Sequence, residues 1–262
     1  MRLYWEIARR GYRRYAAYPW ATAAGAFTNS VFGFLRGYIL LALYEGRNEI
    51  GGYDATDAIT YAWVTQSLIM TVLLWGWVEV ALRVRTGAIA TDLYRPVDPQ
   101  AYWLAEDLGR ALYHFVFRGL PPFVVGMIAF DLRLPEAWVW PVFALSVLLA
   151  VVVGFGFRFL FNLATFWIVD YRGVTILATL AATFLSGMLV PVHFFPDWLE
   201  AVVSVLPFVA MIQIPVDVFL GQLRGAELAA ALAFQAGWAA ALLLAGRAVF
   251  AAGTRKLVVQ GG

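Results

Sequence analysis

The chain has 262 residues, of which 62% are hydrophobic and 14% charged, whereas a soluble globular domain is about 45–50% apolar and roughly 25% charged. At about 20 apolar residues per crossing of a bilayer core about 30 Å thick, this length fits about six helical crossings with short connections and excludes large extramembrane domains. A net charge of +2, with basic residues scattered between apolar runs, argues against nucleic acid as a partner. The lack of cysteine excludes a disulfide framework, a thiolate metal site and a cysteine nucleophile.

In chain order, the first segment is amphipathic. On a helical wheel Arg2, Glu6, Arg9, Arg10, Arg13 and Arg14 fall on one side, and Tyr4, Trp5, Ile7, Ala8, Tyr12 and Tyr15 on the other. That pattern predicts a helix over residues 1–16 lying in the headgroup plane, against the alternative of a frayed cytosolic tail. It has no 7–15-residue apolar core before a small-residue cleavage site, so it does not read as a signal peptide.

The apolar run Trp20–Tyr44, broken only by Asn29 and Arg36, predicts the first span. Ile59–Leu82 predicts the second, with Arg83, Arg85 and Arg95 just beyond it. The third lies in Leu112–Phe130, after the amphipathic stretch Ala101–Ala111, and carries the helix-disturbing pair Pro121 and Pro122. Trp138–Val169, with Arg158 and Asn162 inside it, is longer than one crossing needs and predicts a tilted or extended fourth helix. Val174–Val190 is the fifth span and Leu228–Phe250 the sixth.

The region 193–221 is cut by Pro196, Pro207 and Pro215 and by Asp197, Glu200 and Asp217, so it is either a seventh span or a pair of short re-entrant helices. Positive charge favours the cytoplasmic side. Six crossings place the amino-terminal arginines, Arg83, Arg85, Arg95, Arg172, Arg247, Arg255 and Lys256 inside, and leave only Arg47, Arg133 and Arg224 outside. A seventh span would move the basic tail outward, so the re-entrant reading is preferred, with both termini cytoplasmic. No internal repeat or low-complexity tract is visible.

Enzyme signatures are missing. The sequence has no G-x-x-x-x-G-K-[ST] phosphate loop, no H-E-x-x-H pair and no G-x-S-x-G elbow, so nucleotide hydrolysis is not expected of this chain. The histidines His114 and His193 lie in separate segments and read as packing or interfacial residues. Intramembrane charges are functional candidates by default. Arg36, roughly 12 Å from the outer end of the first span, either lines a substrate path, for which Asn29 is a second candidate, or snorkels to the surface or pairs with an acid on a neighbouring helix. Arg118 and Arg158 are expected to snorkel towards the inner surface, Glu79 to pair with Arg83 one turn away, and Gly33 with Gly37 to permit close helix approach.

Two stretches carry more. The connection after the second span, running through Gly87, Ile89, Asp92, Leu93, Tyr94, Arg95 and Pro96, resembles the G-x-[IL]-x-x-x-L-x-R-P segment of ABC-transporter type-2 permeases, in particular the prokaryotic subgroup grouped with antibiotic-resistance and multidrug export. Ser186, Gly187 and Pro191, followed by Pro196 and Trp198 and then Pro207, are similar to the S-G…P…P-x-W-L…P pattern those permeases carry after their fifth span.

The resemblance implies an all-α, single-domain membrane permease over 1–262. Its features would be an interfacial helix, a cytosolic coupling helix in residues 83–100, and re-entrant helices in 193–221 that cap the translocation path. It implies a prokaryotic inner-membrane, multi-pass subunit of an exporter, without catalytic residues, metal or cofactor of its own, and leaves the substrate open. The aromatic content, 16% of residues, is compatible with amphipathic or lipid-like cargo, though interfacial belts alone could account for it. A separate ABC ATPase would carry ATP and Mg, and a second permease, identical or different, would complete the path. No extended outer domain is present, and Ile212–Gly221 lacks the arginine-bearing ending often found there. The rival readings are a membrane-embedded lipid-modifying enzyme, which calls for a convergent cluster of acids, histidines or serines, and a non-catalytic channel or scaffold subunit.

Overall fold

The computed structural model describes residues 2–74, 76–168 and 170–256. Among them there are helices and one isolated bridge, Ile50 with Tyr53, and no strands. Helix α1 spans Arg2–Ala16, α2 Pro19–Leu43, α3 Ala55–Leu68, α4 Glu79–Arg85, α5 Ile89–Leu93 and α6 Pro99–His114. They are followed by α7 Leu120–Ala129, α8 Val139–Leu163, α9 Arg172–Leu185, α10 Asp197–Val203, α11 Gln213–Leu220 and α12 Gly225–Thr254.

Among the described residues four helical stretches are long and apolar enough to cross a membrane: Pro19–Leu43, Pro99–Ala129, Val139–Phe166 and Gly225–Thr254. They correspond to the expected first, third, fourth and sixth spans. In the third, α6 and α7 run on through a π-helical segment, Phe115–Gly119. Pro121 and Pro122 follow that π-helical segment directly, where the helical hydrogen-bond ladder is already irregular.

The other two expected spans take a different form. The second starts at α3, where Asp54 and Asp57 form a reciprocal capping box that satisfies the first free N–H groups. It continues as a π-helical turn, Ile69–Leu73, and resumes only at α4. Between them Gly76 takes a φ of +86°, a conformation a helix cannot contain and other residues disfavour. The fifth ends at Leu185, because Gly187 takes a φ of +85° and turns the chain away. The proline-cut region holds two short helices, α10 and α11, joined by turns.

Packing is tight where side chains are small. Trp63, fully buried, lies over Gly33 of α2 and Gly126 of α7, with Phe34 and Phe130 against its ring. The Gly33 position thus accepts an indole, and Gly37 touches Ile59 and the same Trp63. Helix α1 lies along α6, with Gly11 against the Glu106 backbone and Gly109 against the Ala8 backbone, so two glycines set a backbone-to-backbone approach.

Side-chain bonds sort the connections into two ends. At one, Arg133 pairs with Asp54 and Asp57 (2.7 and 2.6 Å), Gln222 donates to Asp57, and Tyr53 donates to Asp217. At the other, Arg14 pairs with Glu79 and Glu106 (2.6 and 3.1 Å), Gln100 donates to the Leu243 carbonyl, and Lys256 sits over Trp167.

Candidate functional site

The break in the second span would leave carbonyl groups unpaired in a low-dielectric interior, at a cost of several kcal/mol each. Arginines from two other helices meet that demand. Arg110 of α6 donates to the carbonyls of Met70 (2.5 Å) and Thr71 (2.9 Å), and Arg158 of α8 donates to that of Val72. Both reach the same acid, since Asp107 accepts 2.7 Å bonds from Arg110 Nε and from Arg158 Nη2. All three side chains are buried. Asn162, one turn beyond Arg158, accepts from the Ala81 N–H (3.0 Å) and donates to the Trp77 carbonyl (3.0 Å), so its amide ties down the start of α4. Arg158 is therefore packed inside the bundle, where it satisfies the broken helix, and the expected snorkelling does not occur. Arg118 lays its guanidinium against Gly25 of α2.

From α4 the polar chain runs on to the short inner helix. Arg83 clamps Asp92 of α5 with two bonds, 2.6 and 2.8 Å, and lies over the Trp103 ring of α6. The expected Glu79–Arg83 pair is replaced by this clamp and by Glu79 bonding to Arg14, because each group finds a closer partner on another element. Gly87, at φ +73°, makes the reversal between α4 and α5.

The residues singled out from sequence in this connection divide by face. Ile89 and Asp92 point inward and are buried. Leu93 and Tyr94 point outward, with Tyr94 86% exposed, and Arg95 sits over Tyr102 while reaching Asp92 at 3.4 Å. Pro96 follows the helix end and is exposed.

The second motif lies at the opposite end. Gly187 offers its carbonyl to the Tyr61 hydroxyl (2.6 Å), and a side chain there would collide with that hydroxyl and with Gln213. The Ser186 carbonyl accepts from the Gln213 N–H (3.1 Å). The Gln213 side chain takes bonds from Tyr61 and the Val192 N–H, and gives them to Tyr53 and Asp217. Pro191 and Pro196 precede the short helices that follow them, Pro207 is buried between α10 and α11, and Trp198 stands out, 69% exposed.

His193 bridges Glu200 (2.8 Å) and Asp217 (3.2 Å). Burial alone would lower its pKa, but the two carboxylates outweigh that and raise it to about 9. The other histidine, His114, is buried edge-on to Tyr15 and Tyr113.

The two intramembrane candidates on α2 differ. Asn29 is buried against α3, its amide directed at the Gln66 carbonyl (3.4 Å). Arg36 donates to the Leu189 carbonyl (3.3 Å), and its Nε and Nη1 find no partner among the described residues.

Sequence reading did not anticipate the Asp107–Arg110–Arg158 cluster. Asp107 and Arg110, three residues apart in an amphipathic stretch, were the available signal; their partners lie 39 and more residues away.

Residues 33–261 match the family described as ABC-2 family transporter protein. The chain belongs to that family. It is a multi-pass membrane subunit of an ABC transporter, of the kind that works with a separate ABC ATPase subunit and generally has no ATPase site of its own. No curated protein and no solved structure gives a significant match to the chain. The matched segment contains both motif stretches and begins beyond α1.

Proposed function

We propose that this ABC-2 subunit is a six-crossing permease half that receives its drive through residues Gly87–Pro96 and pairs with a second permease around the transport path. The observation that carries this reading is the division of the inner connection. Its inward face, Ile89 and Asp92, is fastened to the bundle through Arg83, while Leu93 and Tyr94 face away as an aliphatic and aromatic pair beside Arg95. Exposed anchors with a charged rim suit docking onto an ATPase. Force applied there would pass along α4 to the Asn162, Arg158 and Asp107 contacts, and so to the break in the second span.

The six-crossing arrangement is supported by the grouping of connections into two ends, with residues 45–54, 131–136 and 187–222 together and residues 2–16, 79–106 and 243–256 together. The clustering of basic residues at the second end supports a cytoplasmic location for it. The proline-cut segment would cap the path on the outer side. Helices α2 and α9 turn much apolar surface outward, including Phe32, Leu35, Ile176, Leu177, Leu180 and Phe184, which suits lipid or the second permease. Arg36, whose buried Nε and Nη1 find no partner among the described residues, is the α2 group that would meet cargo if the path opens beside it, and amphipathic cargo suits the aromatic, apolar surroundings. Assignment to the multidrug-export subgroup rests on the motif resemblance.

The test is Leu93→Asp in the complex with its ABC ATPase. Leu93 is 42% exposed, so the permease should remain folded with an unchanged melting temperature, while ATPase copurification and the complex's ATPase activity fall to background. Copurification and activity at the unaltered level would overturn the coupling role.

A further inference from the structure

Helices α1 and α6 form an open groove of about 620 Å³ lined by Tyr4, Ala8, Tyr12, Leu108 and Leu112, with the exposed Arg9 and Arg13 at its rim. A second cavity of about 550 Å³ adjoins it across Tyr12, bounded by Ala16, Ala23, Phe117 and Pro121. Both are within the range of about 300–1,000 Å³ that small-molecule sites occupy.

The charges at the rim are available. Arg14, one residue on, is committed to Glu79 and Glu106. Arg9 is 3.9 Å from Glu6 with half of its side chain exposed, and Arg13 makes no ion pair among the described residues. Arg9 and Arg13 are one helical turn apart, so their guanidinium groups can meet around one phosphate. The floor is almost wholly apolar, and an extended polypeptide laid there would leave backbone groups unsatisfied. An amphiphile with an anionic head and two hydrocarbon tails satisfies both the rim and the paired troughs.

We propose that this groove is a binding site for an anionic phospholipid of the leaflet in which α1 lies, with its phosphate on Arg9 and Arg13 and its tails on either side of Tyr12. The proposal rests on the membrane location of the chain and is independent of the coupling role of Gly87–Pro96. The site would hold α1 against α6 and make the inner end of the bundle sensitive to lipid charge.

The experiment is native mass spectrometry of the full chain in detergent, titrated with phosphatidylglycerol or with phosphatidylcholine of the same chain length. The unaltered chain should retain phosphatidylglycerol preferentially. Arg9→Gln with Arg13→Gln should cut that retention by about thirtyfold, the effect of two basic groups at a membrane surface. Arg2→Gln with Arg10→Gln, which removes the same charge outside the groove, should leave retention near the unaltered level. Leu108→Trp, which fills the first trough with the arginines intact, should reduce retention of both lipids.

Equal losses from the two double variants would overturn the proposal in favour of a diffuse charge effect. Displacement of phosphatidylglycerol by millimolar inorganic phosphate would overturn it in favour of a simple anion site. Unchanged lipid retention in the Arg9, Arg13 variant, with loss of the ATPase or of permease pairing, would overturn it in favour of a protein occupant. Leu93→Asp should leave lipid retention unaltered, so failure of the coupling reading and failure of this one give different results.

Discussion

The two ends of the second span are fastened by different chemistry. At the inner end three buried charged groups, Asp107, Arg110 and Arg158, gather the carbonyls of Met70, Thr71 and Val72 where the helix stops. At the outer end hydroxyl and amide groups carry the central bonds: Tyr61, Tyr53 and the Gln213 amide tie the span to Gly187 and Val192, with Asp217, His193 and Glu200 joined to that network and the Arg133 pairs with Asp54 and Asp57 beside it. A guanidinium paired with a buried carboxylate has no good alternative partner in a low-dielectric interior, so the inner junction is costly to open. An amide and hydroxyl network exchanges one neutral bond for another at lower cost. On the proposed topology the Asp107 junction would serve as a rigid lever beside the connection Gly87–Pro96, and the Gln213 junction as a latch.

The largest effect should come from Asp107→Ala, which strands two buried guanidinium groups. It is expected to destabilise the protein by about 3–5 kcal/mol, measured as a lower thermal midpoint in detergent. An unchanged midpoint would break the comparison, because it would mean that the carbonyls alone hold both arginines.

Gln213→Leu should cost less, about 1–3 kcal/mol, because it removes an amide bonded to neutral groups and one carboxylate. Hydrogen exchange should quicken in residues 187–203 and stay unchanged in residues 79–95. Quickening at both ends would show that the two junctions open as one unit.

The smallest effect is the pH response of His193. Its pKa is raised in the folded protein to about 9 from an ordinary 6.5, so the stabilisation is fully present below about pH 6.5 and disappears as pH rises through about 9. Exchange in residues 192–203 should therefore quicken over that interval, and His193→Gln should flatten the profile. A rise with the same midpoint in the variant would remove His193 from the latch.

How much of this was legible in the sequence differs between the parts. The span of α2 and the stretch at α12 follow from apolar length, whereas the start of α3 at Ala55, ahead of the expected Ile59, is set by the reciprocal bonds of Asp54 and Asp57, which by sequence alone read as part of a polar loop. For the connection Gly87–Pro96 the family resemblance implied a short helix, but its division into a buried face and an exposed face was not readable, because that depends on Arg83 crossing to Asp92. Glu79 shows the same limit: one helical turn from Arg83, it nevertheless bonds to Arg14, 65 residues away.

The amino-acid sequence by itself determined that this is a helical membrane protein of the ABC-2 kind, since hydrocarbon-length apolar runs and two motif stretches need no knowledge of neighbours. Only the tertiary structure decided where the second span breaks and which charges bear the load. The helix can stop inside the bundle because donors from α6 and α8 arrive at its open carbonyls, and which donors arrive is settled by packing between segments far apart in the chain.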